Sequence, residues 1–401
     1  MREVDIVIVG GGMVGASLAL ALDATNLATL LIESVAHDAA AQPSFDERTT
    51  ALGNGSRRIF EALGVWERIA TEAAAIRTIH VSDAGRFGFG RLRAAEQGVA
   101  AFGFVAANRV IGAALWEKLA QAQRVLLRVP AKPSDVRIGK GGVELSVGAE
   151  PIRARLIVAA DGARSIVRDA AGITATVEDY DQVALVANVV ADRAHDGTAY
   201  ERFTPTGPLA VLPVHDGSFT IVWTLRPQGA ARVLQLDDAA FLAELQSRFG
   251  WRAGRFVRVG QRASYPLRLT RADEVVAART VLIGNAAQSL HPVAGQGFNL
   301  GLRDAAMLAE VLAASTTDCG DPDLLSRFAQ WRSLDRRGVV GFTDTLVKVF
   351  GDTRPGIGVA RNLALLLFDL APPAKSALAR VSVGFAGPTP RLARGLALTG
   401  S

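Results

Sequence analysis

Residues 4–22 read VDIVIVGGGMVGASLALAL, and this stretch decides the fold. The run Val4–Val9 is apolar at nearly every position, the pattern of a strand buried on both faces in a parallel sheet. It passes directly into Gly10-Gly11-Gly12-Met13-Val14-Gly15 and then into the apolar helix Ala16–Leu22. Strand, Gly-x-Gly-x-x-Gly and helix in that order make a dinucleotide-binding turn. Gly10 permits the tight bend, Gly12 lets a pyrophosphate approach the backbone and the helix amino end, and Gly15 lets helix and strand pack closely. Met13 and Val14 complete the cofactor-binding set of this turn. The second strand, Ala28–Glu33, ends in a carboxylate 18 residues after Gly15, where a ribose hydroxyl needs an acceptor. Ser34 beside it belongs to the same set. A dinucleotide with a free 2′-hydroxyl is expected.

The composition of the 401-residue chain, 49% hydrophobic and 21% charged, suits a large core divided between two domains. The formal charge of +5 comes almost entirely from scattered arginines, with no basic run and no interleaved aromatic platform, so nucleic acid is not an expected partner. Such a surface suits an anionic membrane face or acidic ligands. No uninterrupted apolar stretch is long enough to span a bilayer, and the start lacks the layout of a signal peptide, so a cytoplasmic location is expected. Cys319 has no partner for an internal disulfide. His37, His80, His195, His215 and His291 show no metal-ligand spacing, and no metal is expected. Redox chemistry here needs a borrowed cofactor.

A nicotinamide dehydrogenase would continue in regular strand–helix repeats, and this chain leaves that pattern early. A polar segment from Phe45 to Leu52 carries Arg48 into a helix at Ser56–Leu63. A later strand from Ala154 ends in Asp161-Gly162, followed by a helix with Ser165 near its start. The apolar run Thr280–Gly284 then opens GNAAQSLHPVAGQGFNLGLRDA, residues 284–305, crowded with Gly, Ala and Pro where a core would place large side chains. Gly295 and Gly297 let backbone amides approach a planar ligand, and a helix beginning near Phe298 directs its positive end at that ligand.

These three motifs, in order, resemble those of the class A flavoprotein monooxygenases, the FAD-dependent aromatic hydroxylases. The variant of the third motif, together with DERTTALGNGSRRIFEALGVW from Asp46, FTPTGPLAVLPV from Phe203, YPLRL from Tyr265 and VARNLALLLFDLAPPAKSALAR from Val359, resembles the ubiquinone-biosynthesis hydroxylases of the 2-polyprenyl-6-methoxyphenol (UbiH) type. The resemblance covers nearly the whole chain. It implies a Rossmann-like α/β FAD-binding domain of the p-hydroxybenzoate-hydroxylase type (residues 1–75, 106–175 and 265–333), an inserted mixed β-sheet substrate domain (76–105 and 176–264) and a C-terminal helical segment (334–401). It implies that Gly284, Asn285 and Ala286 hold the ribitol, that Pro292 and Gly295-Gln296-Gly297-Phe298-Asn299 follow the ring edge, and that Arg48 and Arg109 meet the flavin. Most family members carry Asp and His where this chain has Asn285 and Gln288. Asn285 still offers an amide oxygen, but a fixed negative charge is lost and the flavin potential shifts.

The implied reaction is ring hydroxylation by O2 through a flavin C4a-hydroperoxide, on a polyprenylated methoxyphenol, with NAD(P)H or another electron donor as reductant. His291 is the candidate base, with Pro292 and Gln296 beside it in the catalytic loop. The alternatives are a monooxygenase of a soluble aromatic, or a weakly active flavin-containing scaffold in a ubiquinone-biosynthesis complex. Short strands read at Val183–Val190, Thr198–Phe203, Leu209–Val214 and Ser218–Leu225, with more between Arg77 and Phe89, would roof the cofactor. Leu212, Pro213, Trp223 and Tyr265 are candidate cavity liners. The last segment sets apolar faces beside arginines and suits peripheral contact with the inner membrane face or a partner protein.

Overall fold

The computed structural model describes residues 1–37, 42, 48–86, 88–289, 295–315, 318–333 and 389–398. The opening strand, Arg2–Val9, is central to a sheet whose parallel strands run in the order Val125–Arg128, Thr29–Ile32, Arg2–Val9, Glu150–Ala159 and Thr280–Leu282. Ile6 and Ile8 face one apolar cluster while Val7 and Val9 face another, which is why the strand is apolar on both sides. Ile6, Val7 and Ile8 are fully buried, each contributing roughly 1.5–3 kcal/mol of apolar burial. The helices Met13–Asp23 and Gln296–Ala313 pack on the same face, joining distant parts of the chain. An antiparallel meander, Pro133–Gly139 and Gly142–Val147, leads into Glu150–Ala159.

This strand order has one consequence for function. Arg2–Val9, Glu150–Ala159 and Thr280–Leu282 are neighbours running in one direction, so Gly10, Asp161 and Gly284 emerge side by side from their carboxyl ends. Ligands bind at such carboxyl edges in open α/β sheets.

Among the described residues a second sheet runs in the order Gln288–Ser289, Phe256–Ala272, Ala175–Ala191, Phe219–Leu225, Gly207–Pro213, Thr198–Thr204, Thr78–Asp83 and Phe89–Arg93. The expected strands match it to within one or two residues at each end, except that Val183–Val190 extends to Ala175–Ala191. The helices Pro227–Leu234 and Asp238–Phe249, not foreseen from the sequence, cover one face. Both carried a readable start: Pro227 sits in the first turn of one, and the Asp237 carboxylate accepts from the Ala240 amide at 2.8 Å at the other. Phe256–Ala272 was also missed, because its exposed positions are mostly polar or charged and leave no apolar run. The expected boundary at residue 265 falls inside that continuous strand, which pairs with Ala175–Ala191 along its length.

A small third sheet, Thr49–Gly53, Gly103–Ala107 and Ala74–Ile76, fits between the two halves. Trp223, expected to line the cavity, is instead fully buried under the covering helices, edge-on to Phe241 at 6.1 Å. The C-terminal helical segment lies outside the described residues except for 389–398, where Leu392–Arg394 makes one short turn with Leu392 and Ala393 buried. Among the described residues no helix is long and apolar enough to cross a membrane, and no group of side chains is arranged to hold a metal ion.

Candidate active site

The glycine turn is fixed by close contacts. Gly10 has φ +103°, and a Cβ there would lie 2.4 Å from the Ala160 carbonyl oxygen. A Cβ on Gly15 would lie 1.9 Å from the Gly10 carbonyl oxygen, so this glycine serves helix–turn packing rather than ligand contact. Gly11, the variable position of the fingerprint, is equally constrained: its amide donates to Glu33 Oε2 at 2.6 Å and its carbonyl accepts from Trp116 Nε1 at 3.1 Å. The other Glu33 oxygen accepts from the Val35 amide at 2.8 Å. Each carboxylate oxygen keeps further acceptor capacity for a ribose hydroxyl. The helix Met13–Asp23 starts at Gly12 with no side-chain cap, leaving its first amides available to an anion.

The second motif supplies a carboxylate aimed differently. Asp161 Oδ2 accepts from the Ile166 amide at 2.9 Å, while Oδ1 is buried with no hydrogen-bond partner among the described residues. Burial holds this carboxyl above the usual range, partly offset by hydrogen bonds from Ser165 and nearby backbone. A buried, unsatisfied acceptor is costly in isolation and fits a ligand hydroxyl. Arg168, a few residues on, donates from Nη1 to the Ala163 carbonyl at 3.0 Å and the Ala286 carbonyl at 3.2 Å, tying the second motif to the third.

The third motif is held by a buried ion pair. Arg332 Nε donates to Asp304 Oδ1 at 2.7 Å, and Asp304 Oδ2 accepts from Gln288 Nε2 at 3.1 Å and the Gly284 amide at 3.3 Å. The two departures from the family pattern therefore act separately: Asn285 is exposed and faces the cavity, whereas Gln288 is buried and braces the loop from behind.

A cavity of about 720 Å³ opens where the motifs meet. Of the expected cofactor residues, Gly10, Gly12, Met13, Val14, Glu33, Ser34, Arg48, Asp161, Gly162, Gly284, Asn285, Gly297 and Phe298 line it. A Cβ at Gly162 or Gly297 would meet nothing within 4 Å, leaving room for a ligand against the backbone there. Arg48 also lies over the Tyr265 ring, 4.6 Å from its centroid.

The other expected residues are placed elsewhere. Arg109 is half-exposed and paired with Glu72 at 3.2 Å, while its neighbour Asn108 lines the cavity and accepts from Thr50 Oγ1 at 2.7 Å. Asn299 is a buried clamp, accepting from Ser56 Oγ at 2.6 Å and the Gly53 amide at 2.9 Å, and donating to the Ala51 and Gly295 carbonyls, both at 2.8 Å. Ala286 is fully buried in a core cluster. Gly295, at φ +59°, caps the helix that starts at Gln296. His291 and Pro292 lie outside the described residues. Lys132 and Arg164, which no motif singled out, line the cavity as cations for an anionic ligand.

An uncapped helix start, a ribose-side carboxylate, an orphaned acceptor and nearby cations fit a flavin adenine dinucleotide. Residues 3–343 match the family model described as FAD binding domain, and the chain belongs to this family of class A flavoprotein monooxygenases, with FAD as cofactor. It is 37% identical over 405 residues to ubiquinone hydroxylase UbiL of Rhodospirillum rubrum, covering 99% of this chain and 94% of that protein. It is 31% identical over 387 residues to the 3-demethoxyubiquinol 3-hydroxylase of Escherichia coli, covering 92% and 96%. In fold it matches p-nitrophenol 4-monooxygenase PnpA from Pseudomonas putida DLL-E4 with TM-score 0.79 at 21% identity, covering 96% of this chain and 99% of that one.

Proposed function

We propose that this chain hydroxylates the ring of a polyprenylated phenol in ubiquinone biosynthesis, with O2 as oxidant. The observation that carries the reading is the meeting of three sequence-distant motifs on one cavity, in a chain similar over its length to two ubiquinone-pathway hydroxylases. The wording of the third motif supports a 2-polyprenyl-6-methoxyphenol as the finer substrate. Bound FAD, once reduced, supplies the activated oxygen.

The chain's own residues do the rest. Glu33 takes the adenosine ribose, and the Gly12 helix start takes the pyrophosphate with Lys132 and Arg164 nearby. Asp161 and Asn285 accept hydroxyls of the ribitol. Gly297 and Phe298 would hold the isoalloxazine, where the helix amino end would favour negative charge on the reduced ring. The reductant is NAD(P)H or an electron-delivering partner, since the sequence holds no second dinucleotide fingerprint. Contact with a membrane face, and with other proteins of the pathway, follows from a lipid substrate.

The test is direct. Purified protein with FAD, NADPH and a set of prenylated methoxyphenols should give products one oxygen atom heavier; oxygen consumption that ignores every phenol would count against the reading. Flotation with anionic vesicles tests the membrane contact separately.

A further inference from the structure

The strand Thr198–Thr204 presents two different faces. Tyr200 packs edge-on against Phe249 at 5.4 Å under the covering helices, whereas Ala199 joins Ile76, Phe102 and Val105 on the opposite side, against the third sheet. Strand alternation places Glu201 with Ala199. Its register partners are Val81 and Ala210, and the row continues through Val222 and Val186. All of these are half-exposed, so short apolar side chains leave open space in front of one carboxylate.

That space faces the third sheet, which also borders the cofactor cavity. The third sheet contributes Thr49 and Thr50 to the cavity, and its Ala51 lies where a Cβ on Gly295 would meet it at 3.1 Å. Along the same roof face, Tyr265 pairs in register with Ala184, two residues from Val186, and carries Arg48. Among the described residues the Glu201 carboxylate has no hydrogen-bond or ion-pair partner.

Resting on the hydroxylase reading above, we infer that Glu201 is the catalytic residue that accepts the phenolic proton of the substrate. As the ring is attacked, the phenol O–H bond breaks, the proton moves to a carboxylate oxygen, and the electron pair stays on the phenol oxygen. This enriches the ortho and para carbons for the electrophilic oxygen that reduced FAD would make available from O2. The C–O bond forms as the O–O bond breaks, the attacked ring carbon gives up its hydrogen as a proton, the second oxygen atom leaves as water, and the phenol oxygen recovers its proton from the carboxylate.

The surroundings match that task. Desolvation alone pushes the Glu201 carboxyl up to about 7, so it stands ready to exchange a proton near neutrality. Asp83, at the end of the adjacent strand, is paired with Arg86 at 3.5 Å. His80, Arg91, Tyr200 and Arg202 alternate to the opposite face. The facing positions of Gly207–Pro213 and Phe219–Leu225 contribute no titratable group, and the third-sheet strands contribute none.

The experiment uses FAD-loaded protein and 2-prenyl-6-methoxyphenol. Binding to the oxidised enzyme, followed by the flavin absorbance, should tighten roughly tenfold as pH rises through about 7, because an ionised carboxylate is the stronger acceptor. Glu201→Gln should flatten that dependence while retaining FAD. It should also slow hydroxylation on the order of 10²-fold, with Glu201→Asp partly restoring it. A wild-type affinity that ignores pH, or a Gln variant with the wild-type profile and rate, overturns the assignment. The expected binding profile without any hydroxylated product would instead fell the hydroxylase reading, and failure of the phenol to bind fells both.

Discussion

Replacing Asp304 with Asn removes a charge from a pair in which the Asp304 and Arg332 side chains are 2% and 1% exposed. Asn is nearly the same size, so the packing of the helix Gln296–Ala313 is preserved and the electrostatic effect is isolated. Breaking a buried pair by removing one partner costs about 3–5 kcal/mol. Against a typical stability of about 5–15 kcal/mol this is a large fraction. At about 2–4 °C per kcal/mol for domains of 150–250 residues, the melting midpoint should fall roughly 6–20 °C. FAD retention should fall with it, because Asp304 Oδ2 also holds the Gly284 amide and Gln288. The assay is thermal unfolding of apo and FAD-loaded protein by circular dichroism, with flavin fluorescence reporting cofactor release. Asp304→Asn combined with Arg332→Met removes both partners and should recover much of the loss. A single variant within about 0.5 kcal/mol of wild type, inside the scatter of an ordinary surface change, would refute the view that this pair anchors the third-motif loop.

Further predictions concern cofactor contact and burial. Gly10→Ala combines a positive φ with a Cβ 2.4 Å from the Ala160 carbonyl, and should give protein that elutes colourless and resists reconstitution with FAD. Arg48→Ala removes a cavity-lining cation stacked on Tyr265, worth about 0.5–2 kcal/mol. Its FAD retention or hydroxylation should drop without loss of the folded state, and unchanged turnover would contradict the assignment. Cys319 is 1% exposed and its thiol is pushed up to about 12, chiefly by burial. Native protein should resist iodoacetamide and become labelled only in denaturant, with intact-mass spectrometry as the readout.

The dinucleotide turn was legible because its determinants are local: strand, glycines and helix follow one another within a few residues, and Glu33 closes on Gly11. What escaped depends on direction and distance. At the start of the helix Asn108–Leu119 a one-residue change of position separates Asn108, turned into the cavity, from Arg109, turned out to Glu72. Asn299 looked like a ring-edge contact, but it is claimed by Gly53 and Ser56, partners more than 240 residues away. Trp223 belongs to the wrong phase of strand alternation, since Phe219 and Ile221 fix its face toward the covering helices. Glu201 carried no motif; only the register of its neighbours makes it conspicuous.

The pairing of Gln288–Ser289 with Thr270 and Arg271 makes part of the third motif an edge strand of the roof. Floor and ceiling are stitched along that seam, so the chamber cannot gape there as a clam does. The long apolar substrate proposed above would have to come and go by another margin, and hardware that regulates its passage should be sought away from the stitched side.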